Sequence, residues 1–118
     1  MTLHNNQLQY VEFACTDFAA TKEFYGAAFG WTFTDYGEGD QVNYIDFTSE
    51  HASGGFYIGE VKQGSTTPII YVEDLEASQT AVGNAGGTIV NEIFSFPGGR
   101  RFHFIDPSGN ELAVWSDT

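Results

Sequence analysis

Apolar and polar residues alternate along several short stretches of the chain, and each of these stretches predicts a β-strand. The first stretch, 8–16, ends just before Asp17, a residue type that commonly caps the N-terminus of a helix. Apolar residues then recur at helical spacing up to Gly30, where the predicted helix ends. Three further alternating stretches follow this helix, at 31–36, 42–49 and 54–61.

The second half of the chain presents the same order of elements. A stretch at 67–73 predicts a strand, and Asp74 after it is again a candidate helix cap. Alanines at four-residue spacing predict the helix, which the glycine pair 86–87 ends. The remaining alternating stretches predict three more strands, at 88–94, 100–105 and 111–116.

One constant shift of 57 positions superimposes the two halves. It aligns Asp17 with Asp74 and Gly30 with Gly87 without a gap. Such internal similarity indicates a duplicated unit. We therefore predict an α+β fold, in which a single domain contains two β-α-β-β-β modules of mostly antiparallel strands. The strands would form one curved sheet or two half-sheets facing each other, with the helices on the outer face.

The predicted domain covers 1–118, with the modules at about 8–62 and 66–117. The chain carries 16 acidic residues against 4 Lys and Arg, and its formal net charge is −12. Nucleic acids and anionic membrane surfaces need a basic patch, so neither is an expected partner.

Several features favour a cytoplasmic location. Cys15 is the only cysteine, so no intramolecular disulfide can form and a reducing compartment fits. The N-terminal residues contain no basic segment followed by an apolar one, as a signal peptide would. No apolar run reaches the roughly 18 residues that would suggest a membrane span.

Three segments resemble one known superfamily: VEFACTDFAATKEFYGAAFGW, YVEDLEASQTAVGNAGGTIV and FHFIDPSGNELAVW. They are similar to the first strand and helix, the second copy, and the closing hairpin of the glyoxalase / bleomycin-resistance / extradiol-dioxygenase superfamily, also called vicinal oxygen chelate. The resemblance implies paired modules that form a cup-shaped cavity, a small-molecule ligand, and a homodimer. It also implies a divalent metal in many members, held by His, Glu or Gln.

The positions that hold this metal in relatives carry other residues here. Carried over from the resemblance, they are Tyr10, Thr67, Ala113 and, by the repeat shift, Phe56. None of them is His, Glu or Gln, so we expect no metal at the usual site and no other cofactor. Phe56 is instead expected to contact a ligand.

Strand alternation predicts which side chains face the cup. The inward set combines aromatic rings with carboxylates, one histidine and one arginine: Tyr10, Glu12, Tyr44, Asp46, Tyr71, Arg101, His103 and Trp115. Ligand sites commonly combine apolar walls with a few converging polar groups. Glu12 needs water, a ligand or a cation, and pairing with Arg101 or His103 would also satisfy it.

Three hypotheses follow, and the sequence leaves enzymatic activity open. The first is a metal-free module that binds a small aromatic or anionic molecule. The second is a lyase or isomerase in which Glu12 and His103 transfer a proton and Arg101 holds an oxyanion. The third is a metalloenzyme with the shifted ligands Glu12, Asp46 and His103.

Overall fold

A computed structural model of the chain describes residues 5–6, 8–49, 51–64 and 66–118. The first four residues, on which the prediction about a signal peptide partly rests, lie outside this set. The first module contains these elements: β1 (Val11–Cys15), α1 (Phe18–Phe29), β2 (Thr32–Tyr36), a short 3-10 helix (Gly39–Gln41), β3 (Tyr44–Thr48) and β4 (Ser53–Ile58). The second contains β5 (Ile69–Tyr71), α2 (Leu75–Asn84), β6 (Thr88–Phe96), β7 (Gly99–Ile105) and β8 (Glu111–Ser116).

Both helices begin where the aspartates predict. The Asp17 carboxylate accepts the Ala20 amide at 2.9 Å, and the Asp74 carboxylate accepts the Ala77 amide at 3.0 Å. Gly30 ends α1 in the left-handed conformation, with φ 73°, which glycine adopts without a steric penalty. Neither α-helix in the described part of the chain is long and apolar enough to cross a membrane.

Each module forms its own four-stranded sheet. The strand orders are β1-β4-β3-β2 and β5-β8-β7-β6. In each sheet the first strand runs parallel to its neighbour and the other pairs are antiparallel. The prediction of an α+β fold with duplicated modules is confirmed, and the strands form two separate sheets rather than one continuous sheet.

The two modules differ in the turn before their last strand. The Ser49 amide bonds to the Ala52 carbonyl in the first module, whereas the Asp106 amide bonds to the Asn110 carbonyl in the second. The second turn is therefore one residue longer. The shift that relates the modules rises from 57 to 58 beyond this point.

This change of register corrects the prediction for Phe56. The residue is fully buried, and its ring stacks on Phe13 with the centroids 5.0 Å apart. Gly55 pairs with β1 as Ala113 pairs with β5, so Gly55 is the true counterpart of Ala113. Placing Phe56 in the cavity was wrong, because the longer turn moves the correspondence by one residue and so to the opposite face.

The longer turn also joins the modules. The Tyr25 hydroxyl of α1 donates to Asp106 Oδ2 at 2.8 Å, in a buried position. Asp106 Oδ1 accepts the amides of Ser108 and Asn110, and the Asn110 side-chain amide donates to the Ala14 carbonyl of β1 at 2.8 Å. Burial, followed by the charge of Asp106, raises the pKa of Tyr25 well above its ordinary value.

Replacing Tyr25 with Phe should therefore weaken the junction between the modules. The buried Asp106 carboxylate would lose a donor, so we expect the free energy of unfolding to fall by about 1–3 kcal/mol. Urea unfolding measures this quantity. Tyr57→Phe is the matched control because Tyr57 is exposed, and equal stability of the two variants would contradict the role of this bond.

Candidate functional site

One face of the first sheet is rich in tyrosine and carboxylate. The Tyr44 hydroxyl donates to Glu12 Oε2 at 3.0 Å and lies 2.7 Å from the Tyr10 hydroxyl. The Tyr36 hydroxyl donates to Asp46 Oδ2 at 2.8 Å. The face thus carries two hydrogen-bonded tyrosine–carboxylate groups, and we call it the tyrosine face.

Glycine at position 55 makes this arrangement possible. A Cβ atom there would collide with the hydroxyl of Tyr44 and crowd that of Tyr10. Burial and the hydrogen bonds with Tyr10 and Glu12 raise the pKa of Tyr44, and the bond to Asp46 raises that of Tyr36. Both tyrosines therefore remain protonated donors at neutral pH.

The corresponding face of the second sheet carries Arg101 among aromatic rings. Its guanidinium carbon lies 5.4 Å from the Phe94 ring centroid and 5.6 Å from that of Phe96. Trp115 is its cross-strand neighbour on β8. We call these four residues the Arg101 wall. Within the described part of the chain, Arg101 Nε is buried without a hydrogen-bond partner.

Two other cations of the chain are paired with carboxylates. Lys22 Nζ lies 3.0 Å from Asp35, and Arg100 Nη1 lies 2.6 Å from Glu76. The bond to Glu76 raises the pKa of Arg100. Arg101 forms no ion pair with any described residue, although it directly follows Arg100 in the sequence. Only the second arginine of the pair is therefore available to a ligand.

His103 lies on the same face as Arg101 and is 8% exposed. Its Nδ1 is 3.0 Å from Glu111 Oε2, and its ring stacks on Phe94 with the centroids 5.9 Å apart. Our sequence prediction missed Glu111. The signal was present, because Glu111 precedes Ala113 by two positions on β8 and so shares its face.

A cavity of about 510 Å³ lies between β1, the start of β8 and residues of the segment that connects the modules, among them Lys62. Glu12 borders it from the first sheet and Glu111 from the second, while Tyr57 and Glu60 also line it. We call it the junction cavity. Its volume falls within the range of small-molecule sites.

The structure groups the predicted site residues by sheet. Tyr10, Glu12, Tyr44 and Asp46 lie on or beside the first sheet, and Tyr71, Arg101, His103 and Trp115 on the second. The pairing of Glu12 with Arg101 or His103 is not among the hydrogen bonds and ion pairs of the described residues. Glu12 bonds to Tyr44, and the partner of His103 is Glu111.

The sequence matches one protein family over residues 7–114, the Glyoxalase/Bleomycin resistance protein/Dioxygenase superfamily. The chain belongs to this superfamily. No curated protein is similar enough in sequence to count as a relative.

Several solved structures share the fold at low sequence identity. A glyoxalase-related enzyme from Fulvimarina pelagi is 18% identical, with a TM-score of 0.78 over 94% of this chain and 88% of that one. A family enzyme from Burkholderia phytofirmans PsJN is 14% identical, with a TM-score of 0.79 over 93% and 98%. TnmS3, an antibiotic binding protein from Streptomyces sp. CB03234, is 17% identical, with a TM-score of 0.75 over 99% and 100%.

The resemblance to the superfamily assigns four positions to a metal. They are Tyr10, Thr67, Ala113 and, after the correction of register, Gly55. Two of the four have no donor atom in the side chain. Among the described residues, no three His, Cys, Asp or Glu side chains come together as a metal site, and this includes Glu12, Asp46 and His103.

Proposed function

We propose that this superfamily member binds a small aromatic anion at the Arg101 wall, without the metal that many relatives use. The observation that carries the proposal is the state of Arg101. It is the cation that borders the aromatic rings of the second sheet, and it has no carboxylate partner among the described residues.

A carboxylate ligand would satisfy this guanidinium. Arginine presents its donors as a planar fork that matches a carboxylate, and such charge-assisted bonds are stronger than neutral ones. The burial of Nε without a partner leaves part of the group desolvated and unpaired, which is unfavourable until an acceptor arrives.

The rings around Arg101 favour an aromatic ligand. Trp115 lies 6.2 Å from Phe96 and 5.3 Å from Tyr71, measured between ring centroids. Tyr71 is 49% exposed. A planar ligand could stack on these rings while its acid group meets Arg101. The similarity to TnmS3, an antibiotic binding protein, supports a binding role but does not identify the ligand.

We also propose that two copies of the chain associate through the tyrosine face and the face that carries the Arg101 wall. Large apolar side chains on or beside them are exposed in the single chain, including Tyr10, Tyr36, Ile69, Tyr71 and Phe94. Exposed apolar surface of this kind is typical of interaction sites. A second copy would cover these rings and enclose the Arg101 wall.

A second candidate function is proton transfer beside a carbonyl group. One observation favours it: Glu111 orients His103 through Nδ1, and Glu12 and Glu111 border the same cavity. In such a step, Glu12 or His103 removes a proton from the carbon beside the carbonyl. The electron pair moves to the carbonyl oxygen as an enolate, and Arg101 stabilises that charge.

The binding proposal predicts that the two adjacent arginines behave differently. Benzoate should raise the melting temperature of protein dialysed against a chelator, since a ligand that binds only the folded state stabilises it. Arg101→Gln should weaken benzoate binding at least about tenfold, because a charged hydrogen bond contributes about 1.5–3 kcal/mol. Arg100→Gln should bind benzoate as the parent does.

Neutral benzamide completes the comparison and should bind more weakly than benzoate. Equal benzoate affinity in Arg101→Gln and the parent would contradict the proposal. So would the absence of binding by both benzoate and the larger 2-naphthoate. Strong stabilisation by divalent metals would contradict its metal-free part.

The dimer proposal predicts a mass in solution of twice the 13.0 kDa of the chain. Size-exclusion chromatography with light scattering measures this mass directly. Because apolar faces would be covered, the mass should remain constant as the protein is diluted through the micromolar range. A single-chain mass at every concentration would show that the two faces are not covered by a second copy.

The proton-transfer candidate predicts hydrogen–deuterium exchange in an aromatic keto acid. The protein should accelerate exchange of the protons beside the carbonyl of phenylpyruvate in deuterated buffer, followed by NMR. Glu12→Gln or His103→Ala should lower this rate by about 10²–10⁴-fold. Glu60→Gln, which removes another carboxylate from the same cavity, is the control and should not. Exchange no faster than in buffer alone would rule out this chemistry for phenylpyruvate and remove the main support for it.

A further inference from the structure

A second cleft opens beside α2, between the edge strands β1 and β5. Its volume is about 990 Å³. Ala77, Ser78 and Ala81 of α2 form one side, and Phe47 and Trp31 of the first module lie on the other. We call it the helix-side cleft.

The duplication explains why this cleft exists. The helix of the first module carries three aromatic residues whose counterparts in the second, 57 positions later, are much smaller: Phe24, Tyr25 and Phe29 become Ala81, Val82 and Gly86. Phe24 and Phe29 of α1 pack on Phe104 of the opposite module, whereas α2 packs mainly on its own sheet and on α1. Of the three smaller counterparts, Ala81 borders the cleft.

Ring contacts at the filled junction show what the open one lacks. The Phe24 ring centroid lies 5.7 Å from that of Phe104, and the Phe29 centroid lies 5.8 Å from it. The counterpart of Phe104 is Phe47, which borders the helix-side cleft together with Ala81. Phe47 itself stacks on Trp31 with the ring centroids 4.2 Å apart, and α2 brings only the small side chain of Ala81 to this part of the cleft.

Ser78 provides an independent observation in the same cleft. It is 8% exposed, and its hydroxyl is buried without a hydrogen-bond partner in the described part of the chain. Its counterpart Thr21 donates to the Asp17 carbonyl at 2.8 Å. Buried polar groups are nearly always paired, so the Ser78 hydroxyl is available to a bound molecule.

We propose that the helix-side cleft binds a neutral, ring-sized aromatic molecule with one hydrogen-bonding group, as in a phenol. The ring occupies the space that a Phe24-like side chain would fill, and its polar group pairs with Ser78. The described residues that line the cleft include one carboxylate, Asp74, and no Lys or Arg. A neutral ligand is therefore preferred over an anion, which separates this site from the Arg101 wall.

Trp31 makes the site observable. The chain has two tryptophans, so Trp115→Phe leaves Trp31 as the single emitter, at the edge of the cleft. In this parent variant, p-cresol should change Trp31 emission saturably. Adding Ala81→Phe fills the space and should abolish the response. Adding Thr80→Phe places a ring on an exposed position of α2 and should leave it intact.

Ser78→Ala gives a second, milder test. It should weaken p-cresol binding about fivefold while leaving toluene, which lacks the hydroxyl, unchanged. If Ala81→Phe fails to fold, the comparison of p-cresol with toluene in Ser78→Ala decides whether the cleft binds the phenol. Arg101→Gln should bind p-cresol like the parent. A failure of the proposal that benzoate binds at the Arg101 wall would therefore leave this result unchanged.

Two outcomes would overturn the proposal. One is the absence of a saturable p-cresol response in the Trp115→Phe parent. The other is a response that persists with unchanged affinity in both Ala81→Phe and Ser78→Ala, which would place the probe elsewhere on the surface.

Discussion

The carboxylate of Asp106 and the apolar core shared by the modules together hold the two halves of this protein against each other. The sheets are separate, so no strand-to-strand hydrogen bonding among the described residues fixes their relative position. Asp106, which receives the Tyr25 hydroxyl and orders its own turn, and Asn110, which reaches β1, share that task with Phe24 and Phe29, which pack on Phe104. The junction cavity lies beside these bonds. Its two walls are therefore positioned by side chains whose polar groups are mutually satisfied.

The duplication explains the architecture, and its departures from symmetry explain the sites. The second turn, which is one residue longer, carries the Asp106 network, and no similar network joins the described residues of the first module's turn. Phe24 of α1 packs on Phe104 of the second module, whereas its counterpart on α2, Ala81, borders the helix-side cleft. Two modules with one fold thus form a tightly packed contact and a cleft.

Strand alternation predicted the sheet faces on which most of the candidate residues lie, because the side chains of a strand point to opposite faces in turn. Glu12, Asp46, Arg101 and His103 accordingly lie on the expected faces. The prediction for Phe56 was wrong because a constant shift of 57 residues between the modules cannot detect a one-residue insertion. Alternation also fixes a face but not a distance, so the partners of Glu12 and His103 had to come from the structure.

The tyrosine face explains how an acidic chain can leave Arg101 available. Glu12 and Asp46 each accept a hydrogen bond from a tyrosine whose pKa is raised. A hydrogen bond from such a donor offsets part of the desolvation cost of a carboxylate, so the carboxylate gains less from pairing with a cation. The aromatic rings beside Arg101 in turn keep its guanidinium on the second sheet, within cation–π distance of Phe94. The carboxylates of Glu12 and Asp46 thus stay on the first sheet with neutral tyrosine hydroxyls, and the Arg101 guanidinium stays on the second sheet with aromatic rings.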